Sequence, residues 1–199
     1  MLQAAGTRGK RYSMPNARIM MVGDSITEGG SDTRIRLGQL LTSGGQSYQF
    51  VGSRLNAGIY HEGYSGYAAD GIDNLITAAT QNAKPDIVMM MIGTNDVLRS
   101  MSLDGSIKNI NSIITKIHQV RPNAMVFVAK ILPNTRETAA DVPIFNAALE
   151  ASLKPRVAAG ANIVIVDMNT GFSGADLLDG IHPGGGGFNK MAERWFSAL

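Results

Sequence analysis

Ile87-Val88-Met89-Met90-Met91-Ile92-Gly93-Thr94-Asn95-Asp96 is the stretch on which the fold turns. Its six consecutive apolar residues are far short of the roughly 20 that a membrane-spanning helix needs. A continuous apolar run, as opposed to an alternating one, suits a strand covered on both faces, as in a parallel sheet between helices. The abrupt change to Gly-Thr-Asn-Asp then leaves polar side chains at the carboxyl end of that strand.

The same grammar repeats on either side. Strands are expected at Ala17–Val22, Tyr48–Val51, Asp86–Ile92, Met125–Ile131 and Ile163–Asp167. Helices are expected at about Arg34–Thr42, Ala69–Ala79, Leu103–Val120, Ala139–Ala158 and Phe188–Ala198. In the third of these, Ile107, Ile110, Ile113, Ile114 and Ile117 recur at spacings of three and four, one apolar stripe facing a sheet. Five strand-then-helix units without an internal repeat or long linker predict a three-layer α/β/α domain over residues 17–199, preceded by a basic arm over residues 1–16.

Composition narrows the function. The chain has 199 residues and no cysteine, which excludes disulfides and thiolate chemistry. With three histidines besides, a structural metal is not expected, and no cofactor is implied. Lys and Arg total 18 against 16 acids, but Arg8, Lys10, Arg11 and Arg18 all precede the first acid, Asp24. The body is therefore slightly acidic, with no basic stripe interleaved with aromatics. Neither nucleic acid nor a membrane is an expected partner. Residues 1–16 lack the apolar core of a secretory signal, so a secreted protein whose leader has been removed and a cytoplasmic one both fit. Oligomeric state is left open.

Open parallel sheets bind ligands beyond the carboxyl ends of their strands. Four polar blocks fall there: Gly23-Asp24-Ser25-Ile26-Thr27, His61-Glu62-Gly63-Tyr64-Ser65-Gly66-Tyr67, Gly93-Thr94-Asn95-Asp96 and Asp179-Gly180-Ile181-His182-Pro183. Ser25 at a strand-to-helix turn is open to two readings, a helix N-cap or a nucleophile given a base. His182 is the best placed base of the three histidines. His118 lies on a helix between charged residues, and His61 is open to substrate contact or to loop hydrogen bonding. Asp179, three residues before His182, suits a turn that brings a carboxylate onto the imidazole Nδ1–H and leaves Nε2 facing the serine. The backbone N–H groups of Ser25 and Gly66 and the side-chain amide of Asn95 would supply donors to an oxyanion. Asp24, His61, Glu62, Tyr64 and Tyr67 are candidate substrate contacts on the same rim. A Gly-x-Ser-x-Gly elbow, a phosphate-binding loop and a dinucleotide fingerprint are all absent from the sequence.

With these four blocks in order, the chain resembles the SGNH (GDSL-type) hydrolase superfamily. The resemblance spans residues 23–183 and implies a flavodoxin-like sheet of about five parallel strands. It implies Ser25 as nucleophile, His182 as general base and acid, Asp179 as its orienting carboxylate, and Ser25, Gly66 and Asn95 as the oxyanion hole. Phe50-Val51-Gly52-Ser53, His61 to Tyr67 and the closing Asp-Gly-Ile-His-Pro are similar to carbohydrate esterase family 3, the acetylxylan esterases, with a departure at Gly184. The implied activity is hydrolysis of short acyl esters, acetyl on a carbohydrate such as xylan first, outside the cell. The alternatives are a broad short-chain aryl esterase, a lysophospholipase-like enzyme, and a non-catalytic carbohydrate-binding domain on the same fold.

Overall fold

The computed structural model describes residues 15–199. The expected basic arm therefore lies almost wholly outside the described residues. In chain order the elements are β1 (Ala17–Gly23), α1 (Ser25–Glu28), α2 (Ser31–Ser43), β2 (Tyr48–Val51), β3 (Arg54–Asn56), β4 (Ile59–Gly63), α3 (Ala69–Ala83), β5 (Ile87–Met91), α4 (Thr94–Leu98), α5 (Leu103–Val120), β6 (Met125–Ala129), α6 (Asp141–Ala158), β7 (Ile163–Val166) and α7 (Gly185–Ala198). Single 3₁₀ turns occupy Glu137–Ala140 and Gly174–Asp176.

The sheet runs β3-β4-β1-β5-β6-β7, with β2 also on β1. All pairings are parallel except the β3–β4 hairpin. One edge of β1 is shared end to end: Ala17–Met20 pair with Tyr48–Val51, and Val22–Gly23 pair with Glu62–Gly63. Its other edge carries β5, from Ile19↔Ile87 to Gly23↔Met91. Chain direction across the sheet therefore reverses between β1 and β5, the topological switch point where such folds open a crevice. The helices pack in two groups, α2 with α7 on one face and α3, α5 and α6 on the other.

Burial follows the sequence pattern. Every residue of β5 and β6 is buried, as continuous apolar strands between two helical layers require. On α5 the stripe of Ile110, Ile113, Ile114 and Ile117 is wholly enclosed, each side chain contributing roughly 1.5–3 kcal/mol relative to an exposed one. Among the described residues, no helix is long and apolar enough to cross a membrane.

The structure departs from the sequence expectation at three places. The segment between the second and third expected strands is not one long loop but the β3–β4 hairpin, whose far strand delivers His61 and Glu62. Two short helices, α1 and α4, follow β1 and β5 directly. The final helix starts at Gly185, so the glycine run forms its first turn instead of a linker. There, a Cβ on Gly187 would lie 2.5 Å from the Asp176 carbonyl.

Candidate active site

The site is built at the carboxyl ends of β1, β4 and β5. After Gly23 the chain turns into α1, and the N-cap is Asp24, whose Oδ1 accepts the Ile26 N–H at 3.0 Å. The capping reading of Ser25 is thus replaced. With its neighbour serving as cap, the Ser25 hydroxyl is free to point outward. It lies 2.8 Å from Nε2 of His182, a contact across 157 positions of chain.

His182 belongs to a tight loop closed by the Leu177↔Pro183 bridge and by Leu178 N–H donating to the His182 carbonyl at 2.8 Å. Inside it, Oδ1 of Asp179 accepts the N–H groups of Ile181 (3.0 Å) and His182 (2.8 Å), an Asx turn. Oδ2 faces Nδ1 of the His182 ring at 2.8 Å. Those backbone donors, together with the ring, hold the Asp179 carboxyl well below the usual carboxylate range. The carboxylate, the imidazole and the hydroxyl form one hydrogen-bonded chain. A hydroxyl so connected can lose its proton to Nε2 as it attacks an electrophile.

Beside the end of β1 lies the turn Tyr64–Tyr67, tied to it by the Tyr64 N–H, which donates to the Gly23 carbonyl at 2.9 Å. Tyr67 N–H donates to the Tyr64 carbonyl at 3.1 Å, and Gly66 has φ +78°, the left-handed value that the third residue of a type II turn requires. Nδ2 of Asn95, on α4, donates to the Tyr67 carbonyl at 2.9 Å. Gly23 pairs with Gly63 on one side and Met91 on the other, so the three segments leave the sheet side by side. Gly93, at φ +127°, makes the sharp exit from β5; a Cβ there would stand 2.2 Å from the ring of buried Phe145.

Three expected substrate contacts are instead internal. Asp24 is 1% exposed, and burial pushes its carboxyl up to about 6 against the opposing pull of the Ile26 N–H, the Thr94 hydroxyl and His182. His61 is buried in β4, where Nδ1 accepts the Gly63 N–H at 3.0 Å; burial, with Arg34 and Arg54 nearby, lowers it to about 4 and keeps it neutral. Glu62 is buried too. Its oxygens accept from the Ser53 N–H (2.7 Å), the Ser53 hydroxyl (2.9 Å) and the Tyr64 hydroxyl. The physical reason is common to all three: each satisfies a backbone donor of the rim and so holds it in shape. Tyr64 stacks on Tyr67 with ring centroids 5.1 Å apart, and Tyr67 is 40% exposed. His118 is remote from the site, its Nε2 3.2 Å from the Ala124 carbonyl.

Sequence reasoning missed Glu28, Arg54 and Arg99. Glu28 pairs with Arg54 at 2.6 Å and accepts the Ser65 N–H at 2.7 Å. Arg99 donates to the Gly66 carbonyl at 2.7 Å. No local motif announces these contacts, because each joins segments far apart in the chain.

This hydroxyl–imidazole–carboxylate chain stands at the switch point of a largely parallel sheet covered by helices on both faces. Residues 21–189 match the GDSL-like Lipase/Acylhydrolase family, and the chain belongs to that family. It is 27% identical over 219 residues to a multidomain esterase of Ruminococcus flavefaciens, a match covering 92% of this chain and 28% of that protein. The chain thus spans little more than a quarter of that curated relative. Among solved structures, the Clostridium thermocellum family 3 carbohydrate esterase is similar with a TM-score of 0.82 and 30% identity, over 92% of this chain and 94% of the other. An acetyl esterase mutant crystallised with an acetate ion is similar with a TM-score of 0.79 and 30% identity, over 90% and 94%.

Proposed function

We propose that the protein is a serine esterase that removes short acyl groups, acetyl foremost, from carbohydrate esters such as acetylated xylan. The observation that carries this reading is the unbroken pair of 2.8 Å contacts, Ser25 Oγ to His182 Nε2 and His182 Nδ1 to Asp179 Oδ2. His182 takes the Ser25 proton as Oγ bonds to the ester carbonyl carbon and the carbonyl electrons move onto oxygen. The Ser25 and Gly66 N–H groups and the Asn95 amide receive that oxyanion. Collapse re-forms the carbonyl and breaks the bond to the alcohol, which leaves with the proton from His182. Water then repeats the sequence on the acyl-serine and releases the acid. Asp179 keeps the ring oriented and offsets its transient positive charge.

An acetyl group on a large alcohol is supported by the openness of the rim. The His182 and Asp179 side chains are 39% and 50% exposed, which accommodates a bulky leaving group. The likeness to a family 3 carbohydrate esterase and to an acetyl esterase supports the same choice. The test compares wild type with Ser25→Ala on 4-nitrophenyl esters from acetyl to octanoyl and on acetylated xylan. A loss of about 10³-fold or more in the variant is expected on acetate. Unchanged turnover in the variant overturns the mechanism, and rates rising toward octanoyl overturn the small acyl group.

A further inference from the structure

The donor attributed to Gly66 is the N–H of the Ser65–Gly66 peptide, which is the middle peptide of the Tyr64–Tyr67 turn. In such a turn that peptide is the one that flips between type I and type II, and the flip reverses the direction of its N–H. The left-handed φ of Gly66 places it in the type II state. Glycine supplies that φ without strain and so sets the direction of the N–H; where the turn stands relative to Ser25 is set by its outer peptides. Two charged side chains grip the peptides on each side of the middle one. Glu28 accepts the Ser65 N–H at 2.7 Å through one carboxylate oxygen while the other is anchored to Arg54 at 2.6 Å. Arg99 donates to the Gly66 carbonyl at 2.7 Å. Asn95 reaches the next carbonyl, Tyr67, at 2.9 Å. Arg54 in addition lies over the Tyr64 ring at 5.0 Å, fixing the first residue of the turn.

We propose that Glu28 and Arg99 are positioning residues: by tying the turn's outer peptides to the helix that carries Ser25 and to the end of the helix that carries Asn95, they fix where the turn stands, so that the Gly66 N–H stays aimed at the oxyanion. The proposal rests on the esterase reading above. Neither side chain is assigned contact with the substrate; they act through the backbone they hold. Charge-assisted bonds are the stronger kind, so both fit a rigid brace better than neutral donors would. Arg99 is solvent-exposed, so its loss removes the bond without opening the core.

The experiment measures kcat, KM and melting temperature for Arg99→Ala, Glu28→Ala, the double variant and Arg99→Lys on 4-nitrophenyl acetate, with inhibition by phenylboronic acid, whose tetrahedral serine adduct mimics the intermediate. A misdirected donor costs part of the 10²–10³-fold that a deleted one costs, so about a tenfold fall in kcat is expected for each single variant. KM should stay within about twofold. Boronate affinity should weaken in step with kcat/KM, and Arg99→Lys, which keeps one donor, should restore most of the loss. Single variants with kcat within about twofold of wild type overturn the proposal, as does a fall in kcat that leaves boronate affinity unchanged. If Glu28→Ala does not fold, Arg99→Ala decides alone. Ser25→Ala is run alongside: an active Ser25→Ala removes the esterase reading, whereas an inactive one beside silent braces removes only this proposal.

Discussion

Asp179 holds His182 from two directions at once, with one carboxylate oxygen on the backbone N–H of His182 and the other on its ring, both at 2.8 Å. Loop and imidazole are therefore set by a single side chain. Asp179→Asn preserves the acceptor for the backbone but turns an amide NH₂ toward Nδ1, favouring the tautomer that carries its proton on Nε2. We expect kcat on an acetate ester to fall by about 10²–10⁴-fold with little change in melting temperature. A variant within threefold of wild type would remove Asp179 from this role.

Gly66→Ala isolates backbone conformation from crowding. A Cβ at this position meets only an Arg99 nitrogen at 3.7 Å, an ordinary contact, so the whole penalty comes from φ +78°. An L-residue pays about 1–2 kcal/mol there, which biases the turn toward the flipped state. Activity should drop by roughly tenfold or more, and stability by no more than about 2 kcal/mol in urea. A large loss of stability with normal activity per folded molecule would contradict this.

Gly93→Ala should behave oppositely. Its Cβ would collide with Phe145 at 2.2 Å and also take a left-handed φ of +127°. Overpacking and strain together are worth about 3 kcal/mol or more. Urea midpoints read this directly, and Phe145→Leu combined with Gly93→Ala should cost less than the sum of the two changes. Strict additivity would show that the ring is not what the new methyl meets.

Asp24 sets a pH dependence of stability. Its native pKa, about 6, lies above the unfolded value of 3.8, so the folded state holds the proton more tightly. The resulting stability is fully present below about pH 4 and is lost as pH rises toward and through 6, amounting to roughly 3 kcal/mol. His61 works in the reverse sense. Lowered from 6.5 to about 4, it contributes stability above pH 6.5 that is lost as pH falls through 4. Chemical denaturation of wild type and Asp24→Asn from pH 4 to 7 should show the variant gaining on wild type as pH rises. Parallel curves would place the Asp24 carboxyl in solvent-like surroundings.

Much of this was legible in the chain. Apolar runs of strand length, the isoleucine stripe of α5 and the polar residues after each run carry the layer order and the rim, because period and burial are local signals. The β3–β4 hairpin escaped for an equally local reason. Its two-residue loop, Ala57-Gly58, has φ +50° and +76°, a turn usually announced by Asn-Gly or Asp-Gly. Alanine in the first position conceals it. Residue type and rim position single out Ser25, His182 and Asp179 as candidates, and the fold brings these three into successive 2.8 Å contacts. Asp24 and Glu62 were misread as substrate contacts, and of the two readings open for His61 the backbone hydrogen bond is the one found, because rim position does not tell whether a polar group points at solvent or at a neighbouring backbone N–H. Glu28 and Arg99 were invisible, since their partners lie 37 and 33 positions away.

The divided partnership of β1 has a practical side. Four rungs to β2 hold the lower part of the strand, while the two rungs nearest the crevice belong to β4. The exposed side chains near the hairpin tip, Leu55 and Tyr60, can therefore be rewritten while Arg54, His61 and Glu62 keep the rim in shape and the scaffold stays knitted below it. That makes the tip the natural place to graft new recognition onto this fold.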